Sequence, residues 1–160
     1  MPARTTGLLN WDNNMYFSPI NKFWYWYRDG RYEYLTYDEW RSKTGFDANS
    51  VYTPSLPGGL EIFIRSNKYE PNRSHIVIYN WDLNNSVSVD LSDVLNVGDD
   101  YQILDAQNYF GTPVISGTYD GNPIIIPMNL TSVAPLIGNV NHINNVHTAP
   151  EFGSFVLISK

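Results

Sequence analysis

Hydrophobic and polar residues alternate along much of the second half of the chain, and this pattern predicts short β-strands. The stretch 86–91 is the clearest case, because Val87, Val89 and Leu91 fall on one side of a strand while the serines and Asp90 fall on the other. Turn-forming groups of Asn, Asp and Gly separate it from its neighbours. Seven strands are predicted in this way, at residues 60–65, 74–81, 86–91, 101–105, 113–119, 123–126 and 152–158.

Seven short strands with frequent turns and no long helical pattern favour an antiparallel β-sandwich of seven to eight strands. A long polar loop is predicted at 131–150, immediately before the last strand. The predicted fold class is therefore all-β.

The first part of the chain predicts a hairpin followed by a short helix. Residues 23–27 read Phe-Trp-Tyr-Trp-Tyr, a run of strong strand formers, and residues 32–34 form the returning strand after an Asp29-Gly30 turn. Thr36 and Glu39 have the spacing of a helix capping box, and Gly45 suits the left-handed position that ends a helix.

Aromatic residues are concentrated at one end of the chain. Residues 1–52 contain 14 of the 24 aromatic residues, and the remaining sequence is rich in Ile, Val and Leu. Between the two parts lies 53–59, where Pro and Gly interrupt any helix or strand. We interpret the chain as an aromatic segment at 1–52, a linker at 53–59 and a β-sandwich domain at 60–160.

Charge and composition exclude several classes of partner. The chain has 160 residues and a net charge of -6, which disfavours binding to a nucleic-acid backbone. No apolar run approaches the roughly 18 residues that a membrane helix needs, so no membrane partner is expected. Cysteine is absent, which excludes disulfides, thiolate metal sites and a cysteine nucleophile.

Several motifs resemble a known group of proteins. Asn-Asn-Met-Tyr-Phe at 13–17, Tyr-Asp-Glu-Trp at 37–40 and Thr-Gly-Phe-Asp-Ala-Asn-Ser at 44–50 resemble the last coils of bacterial right-handed parallel β-helix proteins of the pectate-lyase-like, polysaccharide-active type. The segments 75–82, 97–101, 105–111 and 149–153 resemble the β-sandwich domains that end such proteins and several glycoside hydrolases. Together the two resemblances cover roughly residues 10–160.

The resemblance implies a C-terminal piece of a larger polysaccharide-active protein that is secreted or displayed on a bacterial surface. The rest of that parent chain is then an expected partner. The stacked coils in which such families keep their catalytic cleft are not represented in this sequence, so the resemblance carries no catalytic residue over to this chain.

The residues themselves indicate no catalytic constellation, which leans against an enzyme without deciding the question. Most of the 16 carboxylates lie at predicted turns or at the helix cap, where they stabilise the backbone. Asp82 and Asp105 lie at strand ends, where loops can build a site, and they are the weak catalytic candidates. A Gly-x-Ser-x-Gly elbow and a phosphate-binding glycine loop are both missing.

Metal binding also lacks a strong signal, and no cofactor is predicted. His75, His142 and His147 do not have the spacing of zinc ligands, and the expected place of the loop histidines is in solvent. A structural calcium ion is left open, with Asp99-Asp100 or the Asp120-Gly121-Asn122 turn as its ligands.

Carbohydrate binding is the favoured function, because sugars stack on aromatic rings that have polar groups at their edge. Strand alternation predicts Phe23, Tyr25 and Tyr27 on one face of the hairpin and Trp24 and Trp26 on the other. Either one face is an exposed sugar platform or both faces are packed against other parts of the protein. The candidate binding residues are Trp24, Tyr25, Trp26, Tyr27, Arg28 and Arg31, with Glu33 at the rim, and a second group of Trp81 and Asp82.

The predicted function is that of a non-catalytic carbohydrate-binding or accessory module of a secreted polysaccharide-degrading protein, with a polysaccharide or oligosaccharide as its ligand. One alternative is a structural capping domain that shields the open edge of a parallel β-helix and binds no ligand. A fragment of a glycoside hydrolase or lyase is a further alternative.

Overall fold

Strands account for most of the regular structure, as the sequence predicts. The computed structural model describes residues 11–28, 30–138 and 145–160, and in this part of the chain it contains eleven strands and one α-helix. The strands form several sheets, most of them antiparallel. The prediction of an all-β fold is therefore confirmed. Two compact units divide between Pro57 and Gly58.

The first unit contains the predicted hairpin and helix, together with a parallel strand pair that the sequence did not indicate. The elements are β1 (Met15–Phe17), β2 (Lys22–Arg28), β3 (Arg31–Thr36), α1 (Tyr37–Thr44) and β4 (Val51–Thr53). Strands β2 and β3 pair antiparallel across a two-residue turn that includes Gly30. Strands β1 and β4 pair parallel, with Tyr16 opposite Tyr52.

Helix α1 has the ends that its sequence predicts. The Thr36 hydroxyl accepts a hydrogen bond from the Glu39 backbone, and the Glu39 carboxylate accepts one from the Thr36 backbone. Gly45 ends the helix at φ 72°, in the left-handed region that a residue without a Cβ reaches at little cost. An eight-residue helix is too short to be stable alone, so it depends on the packing of Tyr37 and Trp40.

The second unit is a sandwich of two antiparallel sheets. The strands are β5 (Leu60–Ser66), β6 (Arg73–Asn80), β7 (Ser86–Val89), β8 (Asp100–Asp105), β9 (Ile115–Thr118), β10 (Ile124–Pro127) and β11 (Phe152–Ser159). A five-stranded sheet has the order β5-β6-β11-β8-β9, and a two-stranded sheet pairs β10 with β7. All seven strands predicted for this region are present.

The core of the second unit lies between its two sheets. Val87, Val89 and Leu91 are buried there and Ser86, Ser88 and Asp90 are exposed, so the predicted alternation is confirmed. The other buried apolar side chains of this core are Ile76, Ile78, Leu95, Ile103, Tyr119, Ile124, Ile126, Met128, Phe155 and Leu157.

A buried asparagine fastens this core to its loops. Asn80 has no exposed surface, and its Nδ2 donates to the carbonyls of Asn84 and Pro150, each at 2.8 Å. Its Oδ1 accepts from the Asn84 backbone at 3.1 Å. A single side chain therefore holds the turn after β6 against the segment that leads into β11.

Replacing Asn80 by alanine is expected to lower the unfolding free energy of the second unit by about 2–3 kcal/mol, because buried backbone groups lose their partners. Urea unfolding followed by far-UV circular dichroism measures the change. Asn145→Ala is the matched control, since Asn145 is exposed. Equal stability of the two variants would contradict this role of Asn80.

Candidate carbohydrate-binding site

The two faces of the β2–β3 hairpin have different environments. Trp24 is only 8% exposed and Trp26 is half-buried, whereas Tyr25 and Tyr27 are 53% and 60% exposed. The predicted alternation from Trp24 to Tyr27 is therefore present, and the face that meets solvent carries tyrosines. Trp24, a candidate binding residue from the sequence, belongs to the core of the first unit.

Phe23 departs from the predicted alternation. The pairing of β2 with β3 shifts between Lys22 and Trp24, so a bulge interrupts the strand at Phe23. The Phe23 ring lies 3.8 Å from the ring of Trp24 and packs against the buried cluster. Its expected place beside Tyr25 and Tyr27 is therefore wrong.

Two tyrosines of β3 complete the exposed face. Tyr34 lies opposite Tyr25 and Tyr32 lies opposite Tyr27, and these two are 64% and 65% exposed. The rings of Tyr25 and Tyr32 are stacked with centroids 5.2 Å apart, and those of Tyr27 and Tyr32 are 4.6 Å apart. We call the surface formed by Tyr25, Tyr27, Tyr32 and Tyr34 the tyrosine face.

The charged residues expected at the rim do not share the tyrosine face. Glu33 lies opposite Trp26 and pairs with Lys43 of α1, on the side of the hairpin that faces the helix. Arg31 is exposed, and strand alternation places it on that same side. The side chain of Arg28 lies outside the described part of the structure. The strand positions of the tyrosine face are therefore occupied by neutral residues.

The hydroxyl of Tyr25 has a raised pKa. The neighbouring rings withdraw the Tyr25 hydroxyl from water, and the hydroxyls of Tyr34 and Tyr32 lie close to it, so the pKa of Tyr25 is raised above its usual value of 10.0. At neutral pH each tyrosine offers a ring for stacking and a hydroxyl for hydrogen bonding.

Packing beneath the hairpin fixes the orientation of the tyrosine face. Trp24, Leu35, Tyr37 and Trp40 form the buried cluster of the first unit. The rings of Trp26 and Trp40 meet edge to face with centroids 5.6 Å apart, which joins the inner side of the hairpin to helix α1. The exposed tyrosines are thus carried by strands whose opposite face is packed.

Asp47 holds this cluster together from the loop after α1. It has no exposed surface, and its Oδ2 accepts from the Trp40 indole Nε1 at 2.8 Å. Its Oδ1 accepts from Asn14 Nδ2 at 3.0 Å, from the Tyr16 hydroxyl at 3.0 Å and from the Ser50 hydroxyl at 2.6 Å. One carboxylate therefore links the helix, strand β1 and the loop before β4.

The Asp47 carboxylate is held in its charged form by neutral donors. Burial by itself raises the pKa of Asp47, but the hydrogen bonds from its four partners outweigh burial and keep the pKa below its usual 3.8. The residue also has φ 57°, in the left-handed region that few residues other than glycine adopt. A strained backbone at a buried charge is consistent with a position fixed by its hydrogen bonds.

A second aromatic surface lies on the outer face of the sandwich. Phe63, Tyr79 and Trp81 line a shallow groove of about 550 Å³, together with Val77, Glu61 and Arg65. The rings of Tyr79 and Trp81 are 5.4 Å apart, and those of Phe63 and Tyr79 are 6.2 Å apart at right angles. We call this surface the sandwich groove. It contains Trp81, which the sequence indicated.

Asp82 forms a hydrogen bond to the backbone beside the sandwich groove. Its Oδ1 accepts a hydrogen bond from the Gly59 backbone at 2.8 Å, and the Trp81 backbone donates to the Gly59 carbonyl at 3.1 Å. These two bonds fix the chain just before β5 beside the end of β6. Asp82 thus positions the backbone of its neighbour Trp81.

Asp105 is the second weak catalytic candidate, and both of its carboxylate oxygens form hydrogen bonds within the protein. Its Oδ1 caps a short 3-10 turn (Ala106–Asn108) by accepting from the Gln107 backbone, and its Oδ2 lies 2.9 Å from His147 Nε2. His147 Nδ1 accepts from the Ala149 backbone at 2.9 Å, so Nε2 carries the ring proton and donates it to Asp105. Both ring nitrogens are therefore engaged in holding the loop before β11.

The expectation that the loop histidines lie in solvent is wrong for His147, which is 8% exposed. Its burial follows from the pairing with Asp105, a contact between residues far apart in the sequence. His75 is exposed at the start of β6. His142 lies outside the described residues.

No group of three or more His, Asp or Glu residues with the arrangement of a metal site is found in the ranges 11–28, 30–138 and 145–160. Of the carboxylates considered for calcium, Asp99 and Asp120 bind their own turns, and Asp100 binds the neighbouring strand. Asp120 accepts from the backbone and side chain of Asn122, and Asp99 accepts from the Asn96 backbone. Asp100 accepts from the Thr118 hydroxyl at 2.7 Å.

Comparison with models of protein families, with curated proteins and with solved structures found no match. No helix of the described chain has the length and apolar character that crossing a membrane requires.

Sequence reasoning missed part of each surface. The sequence places Tyr32 and Tyr34 in the hairpin, but their pairing with Tyr27 and Tyr25 follows from the two-residue turn, which fixes the register. The sequence pattern predicts strands at Phe63 and Tyr79 but indicates no site there. Their alternation along β5 and β6 is a signal that was available, since both fall on the face opposite the buried isoleucines.

Replacing Asp47 by asparagine is expected to lower the unfolding free energy of the first unit by about 3 kcal/mol, because an amide cannot accept all four donors and carries no charge. Tryptophan fluorescence during urea unfolding reports on this unit, which contains four of the five tryptophans. Asp93→Asn is the control, since Asp93 is exposed in the other unit. A variant as stable as the wild type would disprove the central role of Asp47.

The same carboxylate predicts acid sensitivity. Because the pKa of Asp47 is lowered in the folded state, its contribution to stability is complete above the unfolded value near 3.8. As the pH falls below that value, Asp47 binds a proton in the unfolded chain before it does so in the folded chain. Its contribution to stability therefore decreases until the pH reaches the pKa of the folded state. We expect the unfolding free energy, measured with urea from pH 6 down to pH 2, to fall less steeply with pH for Asp47→Asn than for the wild type. Parallel slopes would contradict the lowered pKa.

Proposed function

We propose that this chain is a non-catalytic carbohydrate-binding module, an accessory part of a secreted polysaccharide-degrading protein. The observation that carries the proposal is the tyrosine face, where four tyrosine rings on adjacent strands are each more than half exposed. A soluble protein gains nothing in stability from leaving four large rings in water. Their exposure is best explained by a ligand that covers them.

The chemistry of the tyrosine face suits a sugar. A pyranose ring has apolar C–H faces that pack on aromatic rings, and its hydroxyls bond to polar groups at the ring edge. The Tyr25–Tyr34 and Tyr27–Tyr32 pairs lie two residues apart along the hairpin, a distance of about 7 Å. Two rows at this spacing can support neighbouring units of an extended glycan.

The neutrality of the tyrosine face favours an uncharged glycan. Arg31 and Glu33 lie on the opposite side of the hairpin, and the pKa of Tyr25 is raised. Recognition then depends on stacking and on hydroxyl hydrogen bonds, which salt screens only weakly. Packing of Trp26 on Trp40 holds the strands before the ligand arrives, so little conformational entropy is lost on binding.

The sandwich groove is a second surface of the same chemical kind. Trp81 and Phe63 are exposed at 36% and 41%, and Glu61 and Arg65 offer polar groups beside them. In contrast to the tyrosine face, this groove includes charged residues. We assign it the role of a secondary glycan contact.

Removal of single rings from the tyrosine face is expected to weaken glycan binding. Tyr25→Ala and Tyr34→Ala should each reduce affinity for a neutral polysaccharide such as xylan or a β-glucan about five- to tenfold, as the loss of one stacking contact predicts. Affinity electrophoresis and isothermal titration calorimetry measure the change. Tyr25→Phe and Tyr34→Phe keep the ring, so their affinity should fall less than that of the alanine variants.

Tyr69→Ala is the control for this series, because Tyr69 is an 85% exposed tyrosine of the second unit. Wild-type binding should change little between about pH 5 and pH 9 or with added salt, since no charged group shares the tyrosine face. Equal affinity of the tyrosine-face variants and the control would reject the site. Sugar release by the chain would reject the non-catalytic role.

A second candidate function is a cap for a stack of parallel strands, and the pair β1–β4 favours it. Parallel pairing is otherwise absent from the described sheets, and Met15 and Val51 on this pair are 71% and 56% exposed. Parallel sheets usually have both faces covered. A further parallel strand layer would cover this apolar surface.

The two candidates differ in which substitutions matter. If the chain is a cap, it should bind no polysaccharide. It should bind the dye ANS, and the double variant Met15→Lys/Val51→Lys should abolish that binding. Carbohydrate binding predicts that the same double variant retains full glycan affinity. Glycan binding that survives this variant and fails in Tyr25→Ala decides against a purely structural cap.

A further inference from the structure

Strand β5 leaves one side of the five-stranded sheet open. It is the terminal strand of that sheet, and it pairs with β6 in unbroken register from Leu60 opposite Asn80 to Ser66 opposite Ser74. In the described part of the chain no strand pairs with its other side. The backbone groups on that side can therefore form a ladder with an added strand.

The edge lacks proline, lysine and a bulge, three of the features by which proteins block such pairing. Its sequence is Leu-Glu-Ile-Phe-Ile-Arg-Ser, with neither proline nor lysine, and its register contains no bulge. Leu60, Ile62 and Phe63 are 43%, 36% and 41% exposed. The opposite edge strand, β9, is only four residues long and contains Gly117.

The charged side chains of β5 are complementary to those of β5 in a second copy of the chain. Glu61, Phe63 and Arg65 share the outer face, and Glu61 and Arg65 lie about 13 Å apart, too far for an ion pair within one chain. Antiparallel pairing centred on Phe63 brings Glu61 of one copy opposite Arg65 of the second copy. The two-fold symmetry forms this pair twice, on either side of the two Phe63 rings.

The inner face has the same symmetry. In this register Ile62 of one copy lies opposite Ile64 of the other, so apolar side chains meet on the side that faces the core. A slip by one residue would place Glu61 and Arg65 opposite apolar inner-face residues. The sequence of β5 therefore favours one register, and a strand of unrelated sequence would not supply the two matching charges.

We propose that two copies of this chain pair through β5 and form a continuous ten-stranded antiparallel sheet. The two-fold axis stands perpendicular to the sheet, so the outer faces of both copies lie on the same side. The sandwich grooves, each of which includes Phe63 of β5, then lie next to each other on one shared surface. Pairing of one seven-residue strand buries less area than a standard stable interface, so the dimer is weak and depends on concentration.

Sedimentation velocity of the full chain from about 5 μM to 500 μM tests the proposal, and a dimer with Kd in the micromolar range is expected. Glu61→Arg places two arginines opposite each other at both symmetric positions, and Arg65→Glu does the same with two glutamates. Each single variant is expected to raise Kd at least about tenfold. The exchange variant Glu61→Arg/Arg65→Glu restores the opposite charges and should return Kd to near the wild-type value.

Two controls locate the interface. Glu151→Arg makes the same charge change at an exposed turn residue of the second unit and should leave Kd unchanged. Met15→Lys/Val51→Lys removes the apolar surface of β1–β4, and loss of the dimer in that variant would place the interface in the first unit and overturn the proposal. A chain that stays monomeric up to 500 μM, or an exchange variant as weak as the single variants, would also overturn it. Glycan binding by the tyrosine face is unaffected by any of these outcomes.

Discussion

The first unit depends on one buried carboxylate. Asp47 lies in the loop after the helix, yet it accepts hydrogen bonds from Trp40, Tyr16, Asn14 and Ser50, which come from separate parts of the unit. A short helix and two strand pairs bury little apolar area, so regular structure alone does not stabilise so small a unit. A charge that is fully buried and fully hydrogen-bonded gives these elements one relative arrangement, because any other arrangement leaves it without partners.

The exposed tyrosines are a consequence of that arrangement. Asp47 fixes Trp40, Trp40 packs on Trp26, and Trp26 belongs to the inner face of the hairpin. Because side chains alternate along a strand, burial of Trp24 and Trp26 leaves Tyr25 and Tyr27 on the outside. The surface assigned to glycan binding is thus positioned by a residue that has no contact with solvent.

Strand positions, the helix caps and the all-β class could be predicted from the sequence because they depend on local patterns, such as the alternation at 86–91 and the Thr36–Glu39 box. Contacts between distant residues could not. The parallel pairing of β1 with β4, the burial of His147 by Asp105 and the bulge that moves Phe23 into the core all depend on tertiary packing. Of the candidate site, Tyr25 and Tyr27 could be predicted from strand alternation, and Trp81 from its position beside Asp82 at the end of a strand. The role of Asp47 was not, since an aspartate in a loop is usually a local turn residue.

Three acidic side chains, Asp47, Asp82 and Asp105, have structural roles in the fold. A glycosidase needs one carboxyl group with a raised pKa beside a second carboxylate at a sugar site. Here the pKa of buried Asp47 is lowered, and Asp105 is occupied by the Gln107 backbone and His147. Asp82 holds the Gly59 backbone. These carboxylates act as acceptors that fix backbone and side chains, whereas the surface left for a ligand is aromatic and largely neutral. In the proposed function the exposed rings would stack on a sugar, while these three carboxylates stabilise the protein around them.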